Sequence, residues 1–147
     1  MSISVRKIDA EECKPLRHQV LWPHIPLEKD CVIDIDLRID AIHLGAFISG
    51  KIVGVCSLFQ MKNDLLPYSN PYRLRAMATS PEVRGSGAGT AIVEHAIKIT
   101  RDLGHDVLWC DARAVALGFY DRLGFKTHGD FYNVRNIGPH KLMYYPL

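Results

Sequence analysis

The chain has 147 residues, 48% of them hydrophobic and 23% charged, which is the length and composition of one globular domain spanning 1–147, and excludes a disordered chain. The net charge is only +2 and no basic cluster is interleaved with aromatics, so no nucleic acid is expected as a partner. No apolar run approaches the ~18 residues of a membrane span, and Met1 to Ala10 lacks the apolar centre of a signal peptide; no membrane partner is expected and the cytoplasm is the default location.

From the start of the chain, alternation over Ile3 to Ile8 predicts a strand. Asp9-Ala10-Glu11-Glu12 predicts a helix start with acids where the helix dipole favours them, continuing to about Leu21, with Pro15 acceptable only early and Trp22-Pro23 as the stop. An irregular stretch follows, carrying Glu28, Asp30, Asp34, Asp36 and Asp40 against Lys29 and Arg38. The apolar runs His43 to Ser49 and Ile52 to Gln60 flank Gly50-Lys51 and predict a hairpin.

A strand over Tyr72 to Thr79 leads to Arg84-Gly85-Ser86-Gly87-Ala88-Gly89-Thr90, and then to a helix. Ile92, Ala96, Ile99 and Leu103 fall on one face of it and Glu94, Lys98, Arg101 and Asp102 on the other, with Glu94 and Lys98 spaced to pair and Gly104 as the stop. Val107 to Cys110 reads as a short strand ending at Asp111, which suits the N-cap of a further helix. Gly124 can take the left-handed conformation that ends that helix; strands follow at Phe125 to Tyr132 and, after a loop with Gly138-Pro139, at Lys141 to Tyr145.

Three glycines in five positions, between a strand and a helix, read as an anion cradle. They let a ligand approach the main chain, and the first N–H groups of a helix have no acceptors within it. A Walker loop would need a lysine that is absent here. A dinucleotide fingerprint begun at Gly85 and Gly87 meets Thr90 where its third glycine belongs; Asp111 stands about where its ribose-binding acid would be, but too little chain follows for a doubly wound sheet. Read as Arg-x-x-Gly-x-Gly, with Arg84, Gly87 and Gly89, the loop resembles the pyrophosphate motif of the GNAT N-acetyltransferase superfamily. Arg113-Ala114-Val115-Ala116-Leu117-Gly118-Phe119-Tyr120-Asp121-Arg122-Leu123-Gly124-Phe125 is similar to that family's later motif, an Ala, then Phe-Tyr, then Gly-Phe.

The resemblance covers about residues 43 to 145. It implies an α/β fold with a twisted, mixed sheet of six to seven strands flanked by helices and splayed between two central parallel strands. It implies acetyl-CoA as co-substrate, with the pantetheine arm on the backbone of Met77, Ala78 and Thr79 and the pyrophosphate on the amides of Arg84, Gly85, Ser86, Gly87, Ala88, Gly89 and Thr90. Many family members carry an asparagine where this chain has Arg113, which is left either to a phosphate, to the acceptor or to a surface ion pair. Tyr120 matches the tyrosine often assigned to protonate the leaving thiolate; a phenol with an ordinary pKa of about 10 can donate at neutral pH. The implied activity is transfer of the acetyl group to a primary amine by direct attack in a ternary complex. The alternative is a non-catalytic acyl-CoA-binding sensor.

No general base stands out: Glu82, His43 and His140 are the candidates. Residues 22–42 and the C-terminal loop are expected to form the acceptor site, the first either as a seat for a cationic amine or as a solvated acidic loop. Cys110 is either a nucleophile or a core residue. Cys13, Cys31, Cys56 and Cys110 form no zinc or redox spacing, and the seven histidines show no ligand spacing, so no metal is expected. Edge strands near Tyr144 and Tyr145 offer a surface for pairing into a homodimer.

Overall fold

The computed structural model describes residues 2–147. Its elements are β1 (Ser4–Ile8), α1 (Ala10–Leu16), β2 (Ile42–Ile48), β3 (Lys51–Gln60), β4 (Pro71–Thr79), α2 (Ala88–Asp102), β5 (Val107–Arg113), α3 (Leu117–Arg122), β6 (Lys126–Val134) and β7 (Gly138–Pro146). The strands form one seven-stranded sheet in the order β1-β2-β3-β4-β5-β7-β6, mixed because β4 and β5 run parallel while β1–β2, β2–β3, β5–β7 and β6–β7 are antiparallel. The expected mixed sheet is therefore present, at seven strands.

The chain divides into two compact units, Met1–Phe59 with Leu74–Ala96, and Gln60–Arg73 with Ile97–Leu147. In the first unit, Asp9 caps α1: Glu12 reaches back to the Asp9 N–H at 3.0 Å, completing a capping box. The single helix expected to Leu21 is instead α1 followed by a wider, π-helical turn over Arg17–Leu21, closed by the Trp22 N–H donating to the Arg17 carbonyl at 2.8 Å. Pro15 lies inside α1, supplies no N–H and crowds the preceding turn, which accounts for the change of pitch. The hairpin turn is Ser49-Gly50, both at positive φ (51° and 78°), one residue earlier than expected; this primed turn matches the twist of the strands it joins. Cys13, Leu16, Val55 and Ala78 pack together as one core cluster, with Ile8, Val20, Leu21 and Ile52 against it.

In the second unit, Leu66, Val107, Trp109 and Leu142 form a cluster with Met61, Tyr68 and Tyr144. The buried Trp109 satisfies its indole N–H on the Met61 carbonyl at 2.9 Å. α2 ends as read at Gly104 (φ +89°), where Gly104 N–H donates to Arg101 and His105 N–H to Thr100, a Schellman cap. Its buried face is Ile92, Val93 and Ala96, which belong to the first unit, and Ile97 and Thr100, which belong to the second; Leu103 is exposed because the helix has already ended at Asp102. On the wet side Lys98 pairs with Asp102 at 2.7 Å rather than with Glu94. β5 runs three residues past Cys110, since Asp111, Ala112 and Arg113 pair with Leu142, Lys141 and His140 of β7. Gly138-Pro139, expected in a loop, begins β7; the turn falls at 135–137, with Asn136 at φ +68°.

Candidate active site

Every residue expected to hold the coenzyme, apart from Arg113, lies in the first unit. Ser80 closes β4, its N–H donating to the Val53 carbonyl at 2.8 Å, and a short 3-10 turn over Pro81–Val83 delivers the chain to Arg84. Gly85 and Gly87 stand at φ +83° and +91°, left-handed values that only glycine adopts without strain. A Cβ at Gly85 would meet nothing within 4 Å, and one at Gly87 only the Ile3 methyl at 4.0 Å, so this turn is open to an approaching ligand. α2 starts at Ala88, two residues before the end of the expected cradle. Ala88, Gly89 and Thr90 are thus its first turn, ahead of the first helical bond from Ala91 N–H to the Gly87 carbonyl at 2.9 Å. Ala88 N–H also leans on the Ser86 hydroxyl at 3.3 Å. Such a turn fits a diphosphate, because amide donors and the positive end of the helix dipole gather at one place. The Arg84 side chain is exposed, while its N–H donates to the Pro81 carbonyl at 3.4 Å and the Ser86 N–H to the Val83 carbonyl at 3.0 Å.

Met77, Ala78 and Thr79 finish β4, and Ala78 is buried while the other two are half-buried. Immediately before them Ala76 has φ +52°, a value rare for a residue with a side chain. A local kink of this kind redirects the backbone edge that follows, and it collects at functional sites. Nothing in the sequence marked it.

In the second unit α3 carries Tyr120, which is buried, with its ring centroid 5.2 Å from Phe125 and 5.0 Å from Phe119. The helix stops in a second Schellman cap: Phe125 N–H donates to the Tyr120 carbonyl at 3.1 Å and Gly124 N–H to Asp121 at 3.0 Å, with Gly124 at φ +101°. The cap fixes the position of Tyr120 on the last turn. Phe125 in turn meets Tyr145 of β7 at 5.4 Å.

Asp111 is no helix cap. It lies within β5, accepts a hydrogen bond from Arg73 Nη2 at 2.5 Å on one oxygen and from the Tyr132 hydroxyl on the other. Burial first, then the bond to Asp111 and its charge, push the Tyr132 phenol well above the ordinary tyrosine range, so it stays protonated. Arg73 spreads its guanidinium over the Trp109 ring at 4.8 Å, and its Nε is a buried donor without a partner. Arg113 continues the same strand, opposite His140; burial lowers its pKa. Sequence reading missed this cluster, because Arg73, Asp111 and Tyr132 lie on three different strands.

Of the five acids in the acidic stretch, Glu28, Asp30 and Asp34 are exposed, whereas Asp36 and Asp40 are held by arginines. Asp36 is buried and takes both terminal nitrogens of the fully buried Arg17, at 2.7 and 2.8 Å, plus the Ile33 N–H at 2.8 Å. Arg17 also donates to the Ser57 hydroxyl at 2.9 Å and the Cys31 carbonyl at 3.2 Å. Burial alone would raise the Asp36 pKa, but the bonds from Arg17 and Ile33 and the Arg17 charge together hold it below its ordinary value. Asp40 is taken by Arg38 through two bonds of 2.7 Å.

His43 belongs to the same network: its Nε2 donates to the Asp36 carbonyl at 2.8 Å and its Nδ1 lies 2.7 Å from the Ser57 hydroxyl, so both ring nitrogens are engaged within the buried core. Glu82 is exposed, 3.8 Å from Lys51. His140 is buried, with Nδ1 donating to the Gly138 carbonyl at 2.9 Å. Burial drives the Cys110 thiol far above neutral pH, which leaves it protonated and a poor nucleophile. Among the described residues no group of three His, Cys, Asp or Glu side chains could hold a metal ion, and no helix is long and apolar enough to cross a membrane.

The profile of the Acetyltransferase (GNAT) family matches residues 6–125. The chain belongs to the GNAT acetyltransferase family. It is 33% identical over 142 residues to the uncharacterized N-acetyltransferase YitI of Bacillus subtilis, a match covering 97% of this chain and 95% of that one. In fold it is similar to Escherichia coli ElaA (TM-score 0.76, 18% identity, 97% of this chain and 99% of that one). It is similar also to an aminoglycoside 6'-N-acetyltransferase complexed with coenzyme A (TM-score 0.72, 15% identity, 99% and 97% covered). The GNAT chain is an acetyltransferase that uses acetyl-CoA as its co-substrate.

Proposed function

We propose that this GNAT protein transfers the acetyl group of acetyl-CoA to a primary amine by direct attack within a ternary complex, working as one domain in the cytoplasm. The observation that carries the coenzyme assignment is the pair of left-handed glycines, Gly85 and Gly87, set immediately ahead of the first turn of α2. The amides of Arg84, Gly85, Ser86, Gly87, Ala88, Gly89 and Thr90 receive the pyrophosphate. The main chain of Met77, Ala78 and Thr79, redirected at Ala76, receives the pantetheine arm. Tyr120 donates a proton to the departing thiolate. Arg113 is left to a phosphate, to the acceptor or to an ion pair at the surface.

The bound thioester supplies an activated acyl carbon; the protein's residues hold it, exclude water and move protons. Direct transfer is favoured over an acetyl-cysteine because the Cys110 thiol is buried and protonated. The test is free thiol release from acetyl-CoA in the presence of a lysyl peptide, spermidine or an amino sugar. Amine-dependent release supports the enzyme. Calorimetric binding of coenzyme A with no turnover on any of these amines would instead mark an acyl-CoA-binding module.

A further inference from the structure

The coenzyme seat described so far meets the phosphates with main-chain amides and a helix dipole, and assigns no cationic side chain of the first unit to them. We propose that Lys51, where β3 leaves the β2–β3 hairpin turn, is a further coenzyme-binding residue whose ammonium group contacts a phosphate of coenzyme A beside the Gly85–Gly87 turn. The inference rests on the acetyltransferase reading above and adds a side chain to its coenzyme site.

Three observations, all within the first unit, carry it. First, the strand register brings Lys51 to the turn. Ser4 of β1 pairs with Phe47 of β2, which sets Ile3 beside Ile48, and Ile48 pairs with Lys51. Neighbouring strands are about 4.8 Å apart, so two steps of pairing put the Ile3 and Lys51 backbones about 10 Å from each other. Ile3 in turn meets the glycine turn: its Cδ1 is 4.0 Å from where a Cβ on Gly87 would stand. Directly paired side chains share one face of a sheet, so Lys51 points to the face on which Ile3 meets Gly87.

Second, Lys51 reaches the chain just ahead of the glycines. The Ser80 N–H on the Val53 carbonyl, at 2.8 Å, ties the end of β4 to β3 two residues from Lys51. The Lys51 Nζ then lies 3.8 Å from Glu82 Oε2, three residues before Gly85. The ammonium therefore stands at the entry to the turn, and the row of paired residues that begins at Lys51 ends on Gly87.

Third, the ammonium is held there without being used up. At 3.8 Å its contact with Glu82 is one of charge, too long for a hydrogen bond, and the three N–H groups stay available to an anion. The two side chains are 70% and 71% exposed, and an ion pair so open to water holds weakly. A phosphate oxygen, which accepts short charge-assisted bonds, competes well for such a lysine. Lys51 also offsets the Glu82 carboxylate, a charge that by itself would repel an anion arriving at the turn.

The experiment measures calorimetric binding of coenzyme A and of dephospho-coenzyme A to wild type, Lys51→Ala, Lys51→Arg, Glu82→Gln and the double variant Lys51→Ala/Glu82→Gln. Lys51→Ala removes an exposed side chain, so it should keep the wild-type Tm while weakening coenzyme A binding about 10-fold, the loss of one hydrogen bond to a charged group. Lys51→Arg should recover most of the affinity. The gap between wild type and Lys51→Ala should close in about 1 M salt, where the screening length is about 3 Å. In the Glu82→Gln background Lys51→Ala should again cost about 10-fold, because the contact is with the coenzyme itself. A loss on coenzyme A alone supports the contact and places it on the ribose phosphate; an equal loss on dephospho-coenzyme A supports it and places it on the pyrophosphate. Wild-type affinity in Lys51→Ala overturns the proposal, and so does a Lys51→Ala effect that vanishes in the Glu82→Gln background, since Lys51 would then only neutralise Glu82. A wild-type protein that binds no coenzyme A removes the coenzyme site and this contact together, whereas binding that Lys51→Ala leaves intact removes Lys51 alone.

Discussion

Asp36→Ala is the sharpest test of how the first unit is held. The substitution leaves Arg17, fully buried, with no carboxylate partner, its charge met by the Ser57 hydroxyl, the Cys31 carbonyl and the Trp22 ring at 5.8 Å. Removing one member of a buried ion pair costs about 3–5 kcal/mol, because the surviving charge keeps its desolvation penalty. For a chain of this size that is a fall in Tm of about 6–20 °C. The assay is urea unfolding of wild type, Asp36→Ala and the double variant Arg17→Met/Asp36→Leu. The double variant should lose less than Asp36→Ala alone, since it leaves no orphaned charge. Acid should narrow the gap between wild type and Asp36→Ala. The Asp36 carboxyl sits below its ordinary 3.8 in the fold, so its contribution is complete above that value and is lost as the pH falls through the lower folded one. An Asp36→Ala protein within about 0.5 kcal/mol of wild type would refute the reasoning, since that is the range of an ordinary surface change.

Three further outcomes follow from the site. Tyr120→Phe should reduce kcat by about 100-fold or more while leaving coenzyme A affinity intact, measured by thiol release beside calorimetry; unaltered turnover removes Tyr120 as the acid. Gly87→Ala forces a side chain onto φ +91° and should cost about 1–2 kcal/mol of stability. It should also abolish most of the Tm rise of about 5–11 °C that coenzyme A at 100 times its dissociation constant gives the wild type. Iodoacetamide at neutral pH should leave Cys110 and Cys56 unlabelled, because burial keeps both thiols protonated, and Cys13, pushed up to about 11, largely so; inactivation blocked by acetyl-CoA would reopen a covalent route.

What could be read without coordinates was whatever depends on neighbours along the chain. Both glycine-terminated helices, at Gly104 and Gly124, and the Gly85–Gly87 turn were legible because a left-handed position leaves its mark in one residue. Tyr120 was legible through its spacing to Gly124-Phe125, and the Schellman cap there is the physical reason for that spacing. Contacts across strands were not legible. Asp111 looks like a cap from its neighbours, and only the pairing of β5 with β7 makes it a strand residue facing Arg73 and Tyr132. Asp36 looks like one acid among five, and its burial depends on Arg17 from nineteen residues upstream. Ala76 at φ +52° has no signature at all, since nothing about an alanine announces a kink.

The Arg17–Asp36 pair also bears on how such a protein could change its preferences. Between Trp22 and Ala41 the chain has little regular structure, yet Asp36 moors it from below, while Leu27, Val32, Leu37 and Ile39 face solvent. A ribbon tethered at one internal bolt can be rewritten at its outward positions without disturbing the scaffold. Libraries that vary those four side chains and spare Asp36 should therefore retain folding while sampling new chemistries on that surface.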